Sequence, residues 1–363
     1  MAATTWEVRP GMPAAAGLIR RTPITEPAAW TRAELEADPS WRIALAPEHV
    51  ADLDRALAGV TARGLPFDAV TREDFPLPAW GPLLDRVRVI LAHGRGVALL
   101  RGLPVERYTD ADAQILFWGI GTHLGEAVTQ NAAAELIAGV YDRGQAYRGD
   151  VRAYQVNAEL AMHCDNSDIV GLMCLRQAAQ GGETLLVSPL AVYNRLLAEH
   201  PEHLAPLHAG FPYDRKGEEG PGEPAISEAP IPLFHTASDG TVSARYARSY
   251  ITRAEQRSGI PLRPEEKAAL DGFDRLALDP ALLVEFHLEP GDIEFANNYT
   301  VFHARRGYTD HADPARRRMM LRLWLQDDTL RRIEDPVLRF GFTRFGNHGK
   351  TARQLRAEAD AAA

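Results

Sequence analysis

The chain has 363 residues, 45% of them hydrophobic and 25% charged, which is enough apolar content for one large core or two smaller ones. A net charge of −9 without a clustered basic run argues against nucleic-acid or anionic-membrane partners, whose recognition needs grouped Lys and Arg. Two cysteines, Cys164 and Cys174, give neither a disulfide framework nor a CxxC pair, and no apolar N-terminal run resembles a signal segment, so a cytoplasmic protein is expected.

The first residues, to about Thr25, are rich in Pro and Ala and read as an arm or loop. Thr31 and Glu34 form a capping box that opens a short helix. Pro47 opens a longer one in which Val50, Leu53, Leu57 and Val60 keep helical spacing until Gly64. A third helix is predicted from Trp80 to His93. GVALLRGL (Gly96 to Leu103) reads as a buried strand, and Thr109 opens a helix that fades near Gly125.

After about Val151 the chain turns strand-rich. IVGLMCL (Ile169 to Leu175) and ETLLVS (Glu183 to Ser188) flank a Gly181-Gly182 turn, and Ser188-Pro189 caps a helix through Leu197. Phe211 to Pro232 is a Gly-, Pro- and Glu-rich loop long enough to act as a lid. An Asp239-Gly240 turn joins two strands, and Pro264 begins a helix to about Leu278. LLVEFHL, IEFANN, TVFHAR and RMMLRLWL then read as strands, a pattern of sandwiches and barrels decorated by helices.

Three features point to chemistry. In extended backbone, His163 and Asp165 of His-Cys-Asp face the same side and can grip one ion. A lone HxD also arises by chance, as a histidine beside a capping Asp. His303, on the apolar segment TVFHAR, needs a partner, and a structural core histidine is the plain alternative. Two histidines and a carboxylate on one face of ferrous iron would leave three positions open. In RMMLRLWL, Arg318, Met320, Arg322 and Trp324 share a face. If that face is interior, two guanidiniums lie in the core, where an anionic ligand best accounts for them. If it is exposed, they pair with surface carboxylates. Alternation favours Arg318 over Arg317 in the run Arg316-Arg317-Arg318.

The stretches HCDNSDIVGLMCLRQAAQGGETLLVS, LEPGDIEFANNYTVFHAR and RRRMMLRLWL, in this order, resemble the TauD/TfdA family of dioxygenases, and GVALLRGL resembles its early strand. The resemblance implies a mainly β fold with flanking helices around a double-stranded β-helix (jelly-roll) core. It covers residues 75–327, with residues 1–74 an N-terminal helical arm packed on the core and 328–363 a C-terminal extension, in one compact unit. It implies iron(II) on His163, Asp165 and His303, with 2-oxoglutarate as cosubstrate held at its distal carboxylate by Thr184 and Arg318, and O2 as oxidant. Arg322 matches a position that contacts the substrate's anionic group in some members.

The implied reaction is oxidation, by default hydroxylation, of a small anionic or amino-acid-like molecule with release of succinate and CO2. No side-chain nucleophile or general base is required beyond the metal centre, and Asp165 argues against halogenation, which needs that position free for chloride. Asn157 and Asn298, with Tyr246 and Arg248, are candidates for shaping the substrate pocket, each with an ordinary turn or strand role as the alternative. Desaturation or cyclisation, a non-catalytic metal- or ligand-binding jelly roll, and a zinc hydrolase on the same ligands are the rival readings. His200 and His203 in EHPEH are a second metal-like pair, better explained as solvated surface histidines. Homo-oligomerisation stays open.

Overall fold

The computed structural model describes residues 18–144, 153–335, 338 and 345–362. Residues 1–17, the larger part of the Pro- and Ala-rich segment expected to run to about Thr25, therefore lie outside the described residues. The early strands are β1 (Arg42–Ala44), β2 (Val97–Arg101), β3 (Glu126–Ala127) and β4 (Ile137–Val140). Next come β5 (Leu160–His163), β6 (Ile169–Arg176), β7 (Gln180–Gly181), β8 (Thr184–Val187), β9 (Phe234–Thr236) and β10 (Val242–Ala244). The series closes with β11 (Val284–Phe286), β12 (Ile293–Asn297), β13 (Phe302–Arg305), β14 (Tyr308–Thr309) and β15 (Met319–Gln326).

A seven-stranded sheet runs β1-β2-β12-β6-β15-β3, with β4 also paired to β15. A four-stranded sheet runs β11-β8-β13-β5. Together they form the jelly-roll core, which carries the fold expected from the sequence. β6 and β15 are the longest strands and are buried on both faces, so they read as near-continuous apolar runs rather than alternating ones.

The two faces of the large sheet have different tasks. Its outer row, including Phe295, Gly171 and Leu323 in register, meets the helix Asp110–Thr122, where Phe117 packs near Phe295. Its inner row, Leu99-Glu294-Leu172-Arg322 across β2, β12, β6 and β15, looks toward the small sheet. Helices Pro47–Arg63 and Gly81–His93 complete the outer layer and bury Leu53, Val60, Leu84 and Val87. A second apolar cluster gathers the helices Pro189–Glu199 and Pro264–Ala277 around the β9–β10 hairpin. The capping boxes at Thr31 and Thr109 are both formed.

The 211–232 loop is ordered by local pairing, Phe211 with Ile231 and Asp214 with Ile226. The C-terminal segment holds it from outside. His348 pairs with Glu218 at 2.6 Å, the Gly346 N–H donates to Glu223 at 2.7 Å, and the Arg215 guanidinium lies over the Phe345 ring. The same segment is bonded through Lys350 and Thr351 to Thr129 and Val128.

Candidate metal centre and cosubstrate pocket

β5 ends at His163, and its antiparallel partner β13 places His303 directly opposite. The backbone stays extended past His163, so Cys164 turns away from His163 and Asp165. The Cys164 sulfur accepts the Tyr246 N–H at 3.2 Å and sits in the second apolar cluster. Asp165 returns to the histidine side, with its oxygens 3.9 Å from His163 Nε2 and 3.8 Å from His303 Nε2. These separations are too long for hydrogen bonds, yet atoms bound at about 2.1 Å to one ion can lie that far apart.

His163 Nδ1 pairs with the Ala161 carbonyl at 2.9 Å, which leaves Nε2 its lone pair. Burial pushes the His163 imidazole down and takes His303 down to about 3, so both stay neutral, as metal ligands must. Burial alone would raise the Asp165 carboxyl; the Arg322 guanidinium, helped by the Trp324 indole N–H, instead brings it down to about 2. Two neutral imidazoles and one ionised carboxylate on one face fit a ferrous ion with open positions.

Asp165 is held on all sides. Trp324 Nε1 donates to Oδ2 at 2.9 Å and Arg322 Nη1 to Oδ1 at 3.2 Å. Gln130 Oε1 accepts from Arg322 Nε at 2.8 Å. Asn298 Oδ1 accepts the Asp165 N–H at 3.1 Å, and its Nδ2 donates to the Ser167 carbonyl and hydroxyl. The Arg245 guanidinium donates to the Asp165 carbonyl at 3.2 Å.

A cavity of about 210 Å³ opens over this centre, lined among others by His163, Asp165, Arg322, Trp324, Lys216 and Tyr250. The 211–232 loop therefore contributes a wall, through Lys216, whose Nζ is 3.1 Å from Ser249 Oγ and 4.0 Å from the Tyr250 ring centre.

The two inward arginines are not equivalent. Arg322 has its charge met by Asp165, although its Nη2 is buried without a partner. Arg318 is 3% exposed and, among the described residues, its guanidinium meets no carboxylate: Nη1 reaches the Val140 carbonyl at 3.3 Å and Nη2 the Met320 sulfur at 3.0 Å. Arg316 and Arg317 are exposed, which leaves the interior to Arg318. Gly182, with φ of +81°, lies beside it, so that a methyl group there would touch Arg318 Nε at 3.4 Å. Thr184, two residues on, is buried on β8.

Two of the expected pocket residues are elsewhere. Asn298 is fully buried and committed to the 165–167 turn, and Asn157 is exposed and offers only its carbonyl, to the Tyr308 N–H. Neither lines the described cavity, and an Asn next to a strand finishes a turn as readily as it greets a ligand. Tyr246 is buried with its hydroxyl on Asp274, while Arg248 does line the cavity and pairs with Asp271 and Asp274. Trp324 was legible by alternation, whereas nothing in the sequence pointed to Gln130 or Arg245. His200, Glu202 and His203 also lie close together, but at the surface, with the two imidazoles stacked 5.2 Å apart.

Comparison with known proteins gives concordant matches. The family model described as taurine catabolism dioxygenase TauD, TfdA family matches residues 61–324. FR-33289 synthase of Streptomyces rubellomurinus is 35% identical over 312 residues, covering 85% of this chain and 91% of that protein. The taurine hydroxylase-like protein SAT17 of Stachybotrys chartarum is 27% identical over 321 residues, covering 85% and 80%. Among solved structures, asparagine oxygenase with Fe(II), 2S,3S-3-hydroxyasparagine and succinate aligns with a TM-score of 0.63 at 17% identity, over 79% of this chain and 94% of that one. The non-heme iron oxygenase OrfP with Fe and alpha-ketoglutaric acid aligns with a TM-score of 0.58 at 15% identity, with the same coverage. The chain therefore belongs to the TauD/TfdA family and is an Fe(II)- and 2-oxoglutarate-dependent dioxygenase.

Proposed function

We propose that His163, Asp165 and His303 hold the iron, that Thr184 and Arg318 receive the distal carboxylate of 2-oxoglutarate, and that a small polar molecule with an anionic or amino-acid-like group is hydroxylated in the cavity beside Arg322. The convergence of two neutral imidazoles and one ionised carboxylate carries this reading. Bound iron, with 2-oxoglutarate and O2, would supply the oxidising chemistry and release succinate and CO2. The chain's own residues position and exclude. Trp324 and Arg322 fix the Asp165 carboxylate, Asn298 fixes its backbone, and the 211–232 loop walls the cavity.

Support for the substrate class comes from the Arg322 side chain in the cavity lining, and from relatives that handle charged small molecules. OrfP was solved with L-Arg, and a uridine-5'-phosphate dioxygenase of Streptomyces matches over 42% of this chain. A reducing, cytoplasmic setting belongs to the same proposal, supported by two buried cysteines that remain free thiols. No described helix is long and apolar enough to cross a membrane.

Anaerobic addition of iron(II) and 2-oxoglutarate is expected to give the visible charge-transfer band of the chelate. Asp165→Ala should lose that band and all succinate formation. A wild-type protein that retains iron without the band, or a variant with unchanged turnover, would overturn the ligand assignment.

A further inference from the structure

The interior holds more guanidinium than this reading uses. Arg305 follows His303 by two residues on β13, so alternation turns it to the same inner face, directly opposite Thr184 in the β8–β13 ladder. It is 6% exposed. Its Nη2 donates to the carbonyls of Val156 at 2.7 Å and Ala158 at 2.6 Å, while Nε and Nη1 are buried with no hydrogen-bond partner among the described residues. Arg318 reaches the same aromatic side chain: the guanidinium carbons of Arg305 and Arg318 are 4.8 Å and 5.0 Å from the centre of the Tyr308 ring. The Tyr308 hydroxyl is itself buried and unpartnered. Asp310 takes the main-chain N–H of Arg318, not its guanidinium.

Neighbouring buried guanidiniums with no hydrogen-bonded carboxylate among the described residues are costly unless an anion arrives from outside. Arg322 shows the contrast, since its charge is met within the protein by Asp165. The free donors of Arg305 and the Arg318 guanidinium instead gather around Tyr308, with Thr184 opposite Arg305 on β8. We infer that Arg305 is a second guanidinium for the distal carboxylate of the 2-oxo acid cosubstrate, which Arg305 and Arg318 clamp together over Tyr308. The inference rests on the cosubstrate assignment proposed above. It gives Arg305 two jobs at once. Nε and Nη1 receive the carboxylate, and Nη2 fixes residues 156–158, which lead into the cavity-lining Glu159 and Leu160.

The test is cosubstrate binding to the iron(II) protein under anaerobic conditions, followed by the visible band. 2-Oxoglutarate is compared with 2-oxopentanoate, which has the same chelating head but no distal carboxylate. Arg305→Gln is expected to raise the dissociation constant for 2-oxoglutarate about ten- to a hundredfold, as loss of charge-assisted hydrogen bonds does. Its affinity for 2-oxopentanoate should stay within about twofold of wild type, because the lost contact is to a group that acid lacks. Equal 2-oxoglutarate affinity in variant and wild type would overturn the inference and leave Arg305 as a tether of residues 156–158. An equal loss for both acids would also overturn it, as damage to the metal centre.

Arg318→Gln is measured in parallel. If it loses 2-oxoglutarate binding while Arg305→Gln does not, only the inference falls; if neither does, the cosubstrate assignment falls too. Should the glutamine variant fail to fold, Arg305→Lys keeps the charge without the fork. It should bind 2-oxoglutarate severalfold more weakly and 2-oxopentanoate unchanged, and wild-type affinity for 2-oxoglutarate would refute the clamp.

Discussion

Glu294 is the side chain in the core with the least to do. It stands in the inner row between Leu99 and Leu172, is 1% exposed, and one of its oxygens has no partner. Burial, and then the neighbouring Asp292 carboxylate, push its carboxyl up to about 8, so it is protonated through the neutral range. Asp292 is itself paired with Arg101, which leaves Glu294 no cation. The folded chain thus keeps a proton that the unfolded chain releases above about pH 4.5. Stability from this group falls as pH rises from there toward about 8, by at most ~1.4 kcal/mol per pH unit. Glu294→Gln removes the term. Relative to wild type, the variant should gain stability between pH 5 and pH 8 in urea titrations; parallel pH curves would show that Glu294 finds a partner in solution.

At the scale of elements, turns carry the registers. Gly291 joins β11 to β12 with φ of +88°, and a methyl group there would lie 2.0 Å from the Leu103 carbonyl oxygen. Gly291→Ala is expected to destabilise the fold by about 2 kcal/mol or more, read as a lower urea midpoint at constant slope. An unchanged midpoint would mean that the β2 end yields easily.

The same scale explains what could be read from the chain. Strands with near-continuous apolar sequence, such as MMLRLWL, and helices with caps, such as those opened by Thr31 and Thr109, announce themselves locally. β3 and β4 do not: they are short and are recruited by the edge of β15. The helix Arg248–Ser258 was also missed, because RSYITRAEQRS is polar and buries only Ile251 and Ala254. At the site, His163, Asp165, Arg318 and Arg322 followed from two-residue alternation. Asn298 and Gln130 could not, since their partners are fixed by tertiary contact rather than by spacing. Arg305 obeys the same alternation from His303, but its burial depends on the β8 and 156–158 segments packed against it, which spacing does not reveal.

On the scale of the molecule, the candidate ligands come from strands far apart in sequence, β5 and β13, yet the sheet seats His163 opposite His303. The centre is therefore assembled by non-local pairing, the slow step of such topologies, and iron would meet a cradle already built. A second long-range arrangement is the grip of Phe345, Gly346 and His348 on the 211–232 loop. It makes the tail of the chain part of the handling properties of the enzyme. Arg215 and Lys216 are trypsin sites, and Arg215 is now shielded beneath Phe345. A chain ending at residue 344 should be nicked there within a digestion time that the 363-residue chain survives; equal resistance would mean that the loop holds itself. A tag or fusion partner is therefore better carried at the other end, because crowding the tail would reach the cavity wall at Lys216.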